Sequence, residues 1–403
     1  MNSFLQLSLT LAIILVMAKF AGYISLRLGQ PSVLGELLVG VLLGPTLLNL
    51  LHLPFIENEH LAETIKELGE LGVLLLMFIA GLELHIDELK QTRRVAAFSG
   101  VLGVIVPILM GWAIGALFGF ERNESIFLGL TLAATSVSIS AQTLMEMKVL
   151  RSRVGLSLLG AAVFDDILVI LLLSLFFALA GGGGSLLDVA LILGRMILFL
   201  SLSIAFGLFL LPGVVRWVRK QPVSQNTLTL AVIIMLFYGL AAELVGSMAA
   251  ITGAFLAGLM FSRTAERENL EPRISALAYG FFVPIFFVDI GLEVNLGSLQ
   301  SGLWFVLTII LVAILSKILG AGLGAKLGGL TWPESWQVGT GMISRGEVGL
   351  IVAAVGAQAG VLSQEVLSAI IAVVIVSTLV TPPALRFLLN QSAIAAKRSL
   401  EKE

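Results

Sequence analysis

The chain has no cysteine among its 403 residues, which excludes disulfides, zinc-thiolate sites and thiol nucleophiles and leaves no signature of a redox compartment. Charge is scarce as well. Asp, Glu, Lys and Arg make up 12% of the residues, about half the usual share of a soluble domain. Neither sign dominates, because 24 Lys and Arg stand against 26 Asp and Glu, so the basic surplus of a nucleic-acid binder is missing. A hydrophobic share of 58% excludes a disordered chain. Long apolar runs fill the sequence instead, and they make it an all-α polytopic membrane protein. A spanning helix needs about 20 mostly apolar residues. Breaks made by charged and turn residues mark thirteen transmembrane helices, at 4–26, 31–50, 64–84, 94–119, 124–146, 154–180, 186–215, 226–246, 249–264, 271–293, 300–326, 335–358 and 364–390. Lys19 interrupts the first run and no small-residue cleavage motif follows it, so that run is read as a retained span rather than a signal.

Thirteen spans put the two ends of the chain on opposite sides. Eighteen of the 24 Lys and Arg residues, from Arg27 to Lys402, then fall on one side; Lys66, Arg122 and Arg195 fall on the other, and Lys19, Lys317 and Arg345 lie within spans. The positive side is cytoplasmic, so the N-terminus is expected outside and the C-terminus in the cytoplasm. An internal repeat is also visible. Val33-Leu34-Gly35-Glu36-Leu37-Leu38-Val39-Gly40 parallels Ile251-Thr252-Gly253-Ala254-Phe255-Leu256-Ala257-Gly258, and Phe78-Ile79-Ala80-Gly81-Leu82-Glu83 parallels Val288-Asp289-Ile290-Gly291-Leu292-Glu293. Each match pairs a span with the one seven later, and an odd displacement reverses its direction in the membrane. Spans 1–6 and 8–13 are thus read as an inverted repeat, with a first repeat at 4–180, a connector helix at 186–215 and a second repeat at 226–390. Together they form a single transmembrane unit, 1–390, followed by a short cytoplasmic tail, 391–403. Inverted repeats are the architecture of secondary transporters that work by alternating access.

Charge at membrane depth costs roughly 2.5–3.5 kcal/mol even on lenient scales, so it marks function by default. Asp165-Asp166 interrupts the sixth span, ~18 Å beyond Arg153 at a helical rise of ~1.5 Å per residue; Lys317 in the eleventh lies ~14 Å from Lys326, at a matching depth. Two further segments reach that level, Ala134-Thr135-Ser136-Val137-Ser138 in the fifth span and Ser344-Arg345-Gly346-Glu347 in the twelfth. The first is rich in hydroxyls and β-branched residues, the second carries a glycine and two charges, and both are poor helix formers. Irregular backbone at that depth must line a cavity or be buried in protein. The expected site is therefore two crossed broken helices meeting near the midplane. Adjacent aspartates on a helix point ~100° apart, so one can pair with Lys317 while the other faces the cavity. Carboxylates, hydroxyls and freed carbonyls are hard oxygen ligands that suit a small cation, and a monovalent one is the better match for so few carboxylates. Burial favours the neutral form of an acid, so proton and cation can compete for one group, and competition combined with alternating access is exchange. Arg345 and Glu347 either balance a broken helix or belong to the ion path. Glu36, about one turn after Pro31, fits a carboxylate at a helix N-terminus or a group on that path. Glu83 and Glu293 end their helices as gates or anchors, and His52, His60 and His85 lie scattered near loops.

The runs Gln30-Pro31-Ser32-Val33-Leu34-Gly35-Glu36, Leu43-Gly44-Pro45, Gly81-Leu82-Glu83, Ala134-Thr135-Ser136-Val137, Gly160-Ala161-Ala162-Val163-Phe164-Asp165-Asp166, Ser316-Lys317 and Arg345-Gly346-Glu347-Val348-Gly349-Leu350-Ile351 resemble the bacterial monovalent cation:proton antiporter family, in particular its NapA-type sodium/proton antiporters. The resemblance implies a homodimer whose six-helix core domains move like an elevator against a dimerisation domain. It implies Asp166 as the carboxylate that binds Na+, Asp165 in a salt bridge with Lys317, and Thr135 and Ser136 lining the site. An Asp-Asp pair in this family goes with electrogenic exchange. The expected function is secondary active exchange of Na+ for protons across a bacterial or archaeal inner membrane, serving pH homeostasis. The partners are then the cation, the proton and the lipid bilayer, with no cofactor, no nucleic acid and no enzymatic activity. Potassium/proton or mixed sodium/potassium exchange is the alternative. The short stretch after the last span weakens it, since the potassium-efflux relatives carry a large nucleotide-binding domain there. A non-transporting membrane sensor and a sodium-coupled organic anion symporter are the further readings. An anion site needs a cation free to meet it, whereas Lys317 and Arg345 both have acidic residues at hand.

Overall fold

A computed structural model of the chain describes residues 3–28, 30–45, 47–52, 60–83, 86–179, 186–292 and 303–400, and the regular structure among them is helical. The helices are α1 (Ser3–Arg27), α2 (Ser32–Leu43), α3 (Leu61–Glu83), α4 (Ile86–Leu117), α5 (Arg122–Ala133), α6 (Ser138–Glu146), α7 (Arg153–Leu179), α8 (Leu186–Ala205), α9 (Leu211–Arg219), α10 (Asn226–Leu244), α11 (Ala250–Phe261), α12 (Arg267–Leu277), α13 (Val283–Leu292), α14 (Leu303–Gly328), α15 (Trp332–Gly341), α16 (Glu347–Gln358) and α17 (Gln364–Leu400). Single π-helical turns, Phe206–Leu210 and Ala278–Phe282, join α8 to α9 and α12 to α13. His85, the glycines at 181–184 and Glu293 lie outside the described residues, as do the side chains of Glu83 and Glu347.

Each of the thirteen apolar runs contains a helix. By length and composition, nine stretches among the described residues can cross a membrane: α1, α4, α5 with α6, α7, α8 with α9, α10, α12 with α13, α14 and α17. The others fall short for local reasons. α2 and α11 are apolar but only 12 residues long, and α2 stops where Gly44-Pro45 cannot continue it. α3 carries charges at Glu63, Lys66, Glu67, Glu70 and Glu83, and α15 and α16 are separated by an unwound stretch. At the other end, α17 runs through Pro382 and Pro383 to Leu400, so residues 391–400 are helical. Ala393, Ala395, Ala396 and Lys397 are strong helix formers there. Large apolar side chains such as Phe4, Phe20, Leu117, Phe209 and Trp304 are more than half exposed, a surface that suits lipid and not water.

The described chain divides into two compact units, one made of Met1–Val16, Leu51–Lys90 and Ile170–Asp289, the other of Met17–Leu50, Gln91–Val169 and Ile290–Glu403. In the first, α3 and α11 pack backbone to backbone. A β-carbon on Gly81 would lie 2.1 Å from the Phe255 carbonyl oxygen, and one on Gly258 would lie 2.0 Å from that of Phe78. Glycine at both positions is what lets the two helices approach, and the rings of Phe78 and Phe261 close the contact at 5.6 Å. In the second unit α14 packs against α15 and α17, and α5, α6 and α16 join them. This unit buries its polar side chains: Thr135, Ser136, Asp165, Asp166, Lys317 and Arg345 are each at most 5% exposed.

Candidate functional site

Two helix interruptions build the site. α5 ends at Ala133 and α6 begins at Ser138, with Ala134 already extended at φ −59° and ψ 140°. Thr135, Ser136, Val137 and Ser138 explain the break: β-branched residues are stiff against the preceding helical turn, and serine hydroxyls compete for backbone partners. α15 ends at Gly341 and α16 resumes at Glu347. The two breaks touch through the Ser136 N–H, which donates to the Ser344 carbonyl at 2.8 Å. Gly346 permits this approach, since a β-carbon there would lie 2.7 Å from Ser136 Cβ and Oγ.

An unwound helix leaves carbonyls and amides that the helix no longer satisfies, and here side chains take them up. The Arg345 guanidinium donates to the carbonyls of Leu132 at 2.8 Å and Ala313 at 2.9 Å, and to that of Ile343. Leu132 lies at the C-terminal end of α5, where the helix dipole favours a cation. Ser140 donates to the Gly341 carbonyl. From α17, Ser377 Oγ accepts the Arg345 N–H at 3.1 Å and the Thr378 hydroxyl donates to the Arg345 carbonyl at 2.7 Å. Arg345 thus acts as a buried fork holding the ends of the breaks.

The carboxylates come from the middle of α7. Lys317 Nζ, on α14, donates to Asp165 Oδ2 at 2.9 Å, and both side chains are fully buried. The Thr135 hydroxyl donates to the same oxygen. Asp165 Oδ1 and Ser344 Oγ are buried without a hydrogen-bond partner among the described residues. Asp166 is 5% exposed, and its charge acts on Lys317. Two acids and two bases, Asp165, Asp166, Lys317 and Arg345, therefore share one buried region with their formal charges balanced. Ser136 Oγ lies 3.0 Å from Ser138 Oγ. Chemically the arrangement offers carboxylate, hydroxyl and backbone oxygens to a small cation, and a carboxylate that can equally hold a proton.

Not every residue singled out in the sequence comes to this place. Thr135 sits on Asp165, the carboxylate bonded to Lys317. Glu347 opens α16. Glu36 lies elsewhere, on α2, with Lys19 and Glu146 as its charged neighbours. Ser140, Ser377 and Thr378 hold the breaks without having been picked out. The signal for the last two was a hydroxyl pair inside the otherwise apolar run Ile375-Val376-Ser377-Thr378-Leu379.

Comparison with known proteins agrees with this arrangement of helices. Residues 12–391 match the family model described as sodium/hydrogen exchanger, transmembrane. The chain is similar to the Na(+)/H(+)-K(+) antiporter GerN of Bacillus cereus, 39% identical over 389 residues that cover 96% of this chain and 98% of that protein. It is similar also to a Na(+)/H(+) antiporter of Enterococcus hirae, 36% identical over 378 residues, or 94% of this chain and 96% of that one. Among solved structures it shares its fold with the sodium proton antiporter MjNhaP1 from Methanocaldococcus jannaschii, with a TM-score of 0.67 and 18% identity over 96% of this chain and 95% of the other. The chain belongs to the transmembrane sodium/hydrogen exchanger family, multi-pass membrane antiporters of monovalent cations and protons.

Proposed function

We propose that this antiporter exchanges Na+ for protons at Asp166, by alternating access of the elevator type and electrogenically. The observation that carries the reading is the buried group of charges at the two helix breaks. Asp165 is held by Lys317 and Thr135, while Asp166 lies next to it on α7 and is buried at the same level. In this reading Asp166 takes a proton from one side and a cation from the other, and Ser136 with freed backbone carbonyls completes the oxygen shell. As the site loads, Lys317 loosens from Asp165, whose second oxygen has no donor among the described residues. Arg345 keeps the broken helices in place throughout, and Glu347 serves the same electrostatic balance. The unit that contains both breaks is the moving part. Thirteen spans in an inverted repeat, an outside N-terminus and a cytoplasmic C-terminus belong to the same proposal, supported by the distribution of Lys and Arg, and a homodimer joins it on the strength of the family resemblance alone.

The likeness to GerN, whose name includes potassium, favours a second reading in which K+ is also carried. One experiment separates the two. The purified protein is reconstituted in sealed liposomes under an imposed pH gradient, and Na+, Li+ or K+ is added in turn to wild type and Asp166→Asn. Collapse of the gradient by Na+ through the wild type alone supports the proposal, and collapse by K+ at similar concentration supports mixed exchange. No response to any cation, or a response that survives in Asp166→Asn, refutes the assignment of the site.

A further inference from the structure

A second cluster of buried polar groups lies at the far end of α6. Ser138, Gln142 and Glu146 are spaced four apart and so share one face of this helix. Ser138 opens the helix, its Oγ 3.0 Å from Ser136 Oγ in the break. Glu146 closes it eight residues later, ~12 Å away at ~1.5 Å per residue. There Gln142 Nε2 donates to Glu146 Oε1 at 2.9 Å. Glu146 also accepts from the backbone N–H of Ser32 at 2.8 Å and from the Ser32 hydroxyl, at the start of α2. Glu36 follows Ser32 by one helical turn and lies next to this group, 6% exposed, with Glu146 and Lys19 as its charged neighbours.

Capping of the α2 N-terminus explains Glu146, because a carboxylate is stabilised by the amides and dipole there. It does not explain the other two groups. Gln142 is 5% exposed, and while its nitrogen is used, its Oε1 is buried without a hydrogen-bond partner among the described residues. An unmade buried hydrogen bond costs about 1–3 kcal/mol. Glu36 is a buried carboxylate whose electrostatic neighbours are one acid and one lysine. A second buried carboxylate with Glu146 and Lys19 as its charged neighbours thus lies beside an amide oxygen that lacks an electropositive partner among the described residues. Carboxylate and amide oxygens are ligands for a hard cation, and the polar face of α6 leads from this cluster straight to the break.

We propose that Glu36, Gln142 and Glu146 form a second, weaker binding station for the transported cation. It lies on the side of the break that the Lys and Arg distribution assigns to the cytoplasm, and it rests on the reading of Asp166 as the central ligand. A cation arriving from that side is held first between Glu36 and the Gln142 amide oxygen, then passes Ser138 into the break. Glu146, fixed by Ser32, keeps Gln142 in position.

The test measures Na+-driven proton exchange in everted and right-side-out membrane vesicles, so that each face is presented with Na+ in turn. For Glu36→Gln and Gln142→Met the KM for Na+ at the cytoplasmic face is expected to rise at least fivefold, with kcat changed less than twofold. At the outer face KM stays within twofold of wild type, and Glu36→Asp recovers part of the loss. Unchanged KM at both faces, or equal losses of rate and thermal stability at both, overturns the station. Binding is read separately on purified Asp166→Asn. A Na+-induced rise in its melting temperature that disappears in Asp166→Asn/Glu36→Gln supports the station, and no such rise overturns it. Exchange that persists in Asp166→Asn refutes the central site instead, so the two failures are told apart.

Discussion

Replacing Lys317 with methionine keeps most of the side-chain volume and removes the charge that faces Asp165. The pair is fully buried with its charged atoms 2.9 Å apart. At an effective dielectric of about 20, that separation is worth roughly 6 kcal/mol of attraction. Withdrawing each ion from water costs several kcal/mol, so the intact pair contributes little net stability. Breaking it is another matter, because Asp165 then stays buried without its cation, at a cost of about 3–5 kcal/mol. Lys317→Met is therefore expected to lower stability by that amount. Lys317→Met combined with Asp165→Asn, which keeps the Thr135 bond, should return to within about 1–2 kcal/mol of wild type. The assay is a double-mutant cycle on purified protein in one fixed detergent, with thermal and denaturant unfolding of all four forms. Strict additivity of the two single changes, or a loss under about 1 kcal/mol in Lys317→Met, would refute the reasoning.

Three further outcomes follow from the breaks. Arg345→Met removes donors from the carbonyls of Leu132, Ala313 and Ile343, and three unmade buried bonds at about 1–3 kcal/mol each should abolish stable expression. Arg345→Lys should not restore it, since a point charge cannot replace a planar fork, and size-exclusion profiles of the purified variants check both. Gly346→Ala drives a β-carbon against Ser136 and is expected to cost about 1–3 kcal/mol; a second change, Ser136→Gly, should recover much of the loss of melting temperature. Thr135→Val removes a donor from Asp165 Oδ2, which costs about 1.5–3 kcal/mol for a bond to a charged group and is read in the same unfolding assay.

How much of this could be read in the residues depends on where the information lies. Most helices were legible because the apolar runs end near charged or turn residues, although the run read at 31–50 continues through Gly44-Pro45, where α2 stops at Leu43. The breaks were legible too, since Thr135-Ser136-Val137 and Gly346 are poor helix formers wherever they stand. Helical geometry alone shows that Asp165 and Asp166 cannot address one partner, whereas the choice of Asp165 for Lys317 came only with the resemblance to the antiporter family. What stayed hidden involves the backbone or distant partners. Arg345 was expected to balance a broken helix or join the ion path, and no side-chain identity reveals that its guanidinium reaches carbonyls of Leu132 and Ala313. The partner of Ser32 lies 114 positions away at Glu146, so the surroundings of Glu36 could not be seen from Pro31-Ser32-Val33-Leu34-Gly35-Glu36. The π-helical turns at Phe206–Leu210 and Ala278–Phe282 each contain a glycine and end two residues before a proline, Pro212 and Pro284, whose missing N–H disturbs the helical ladder, a signal that the apolar pattern alone does not bring out.

If proton and cation occupy Asp166 in turn, they are competitors, and binding of one excludes the other by linkage. The apparent KM for Na+ of the reconstituted wild-type protein, measured from about pH 6 to pH 9 at both faces, tests this most directly. Competition predicts that KM falls roughly tenfold per pH unit over the range in which the site is protonated, at a constant maximal rate. A KM that stays flat across that range while the maximal rate changes would contradict a single shared carboxylate.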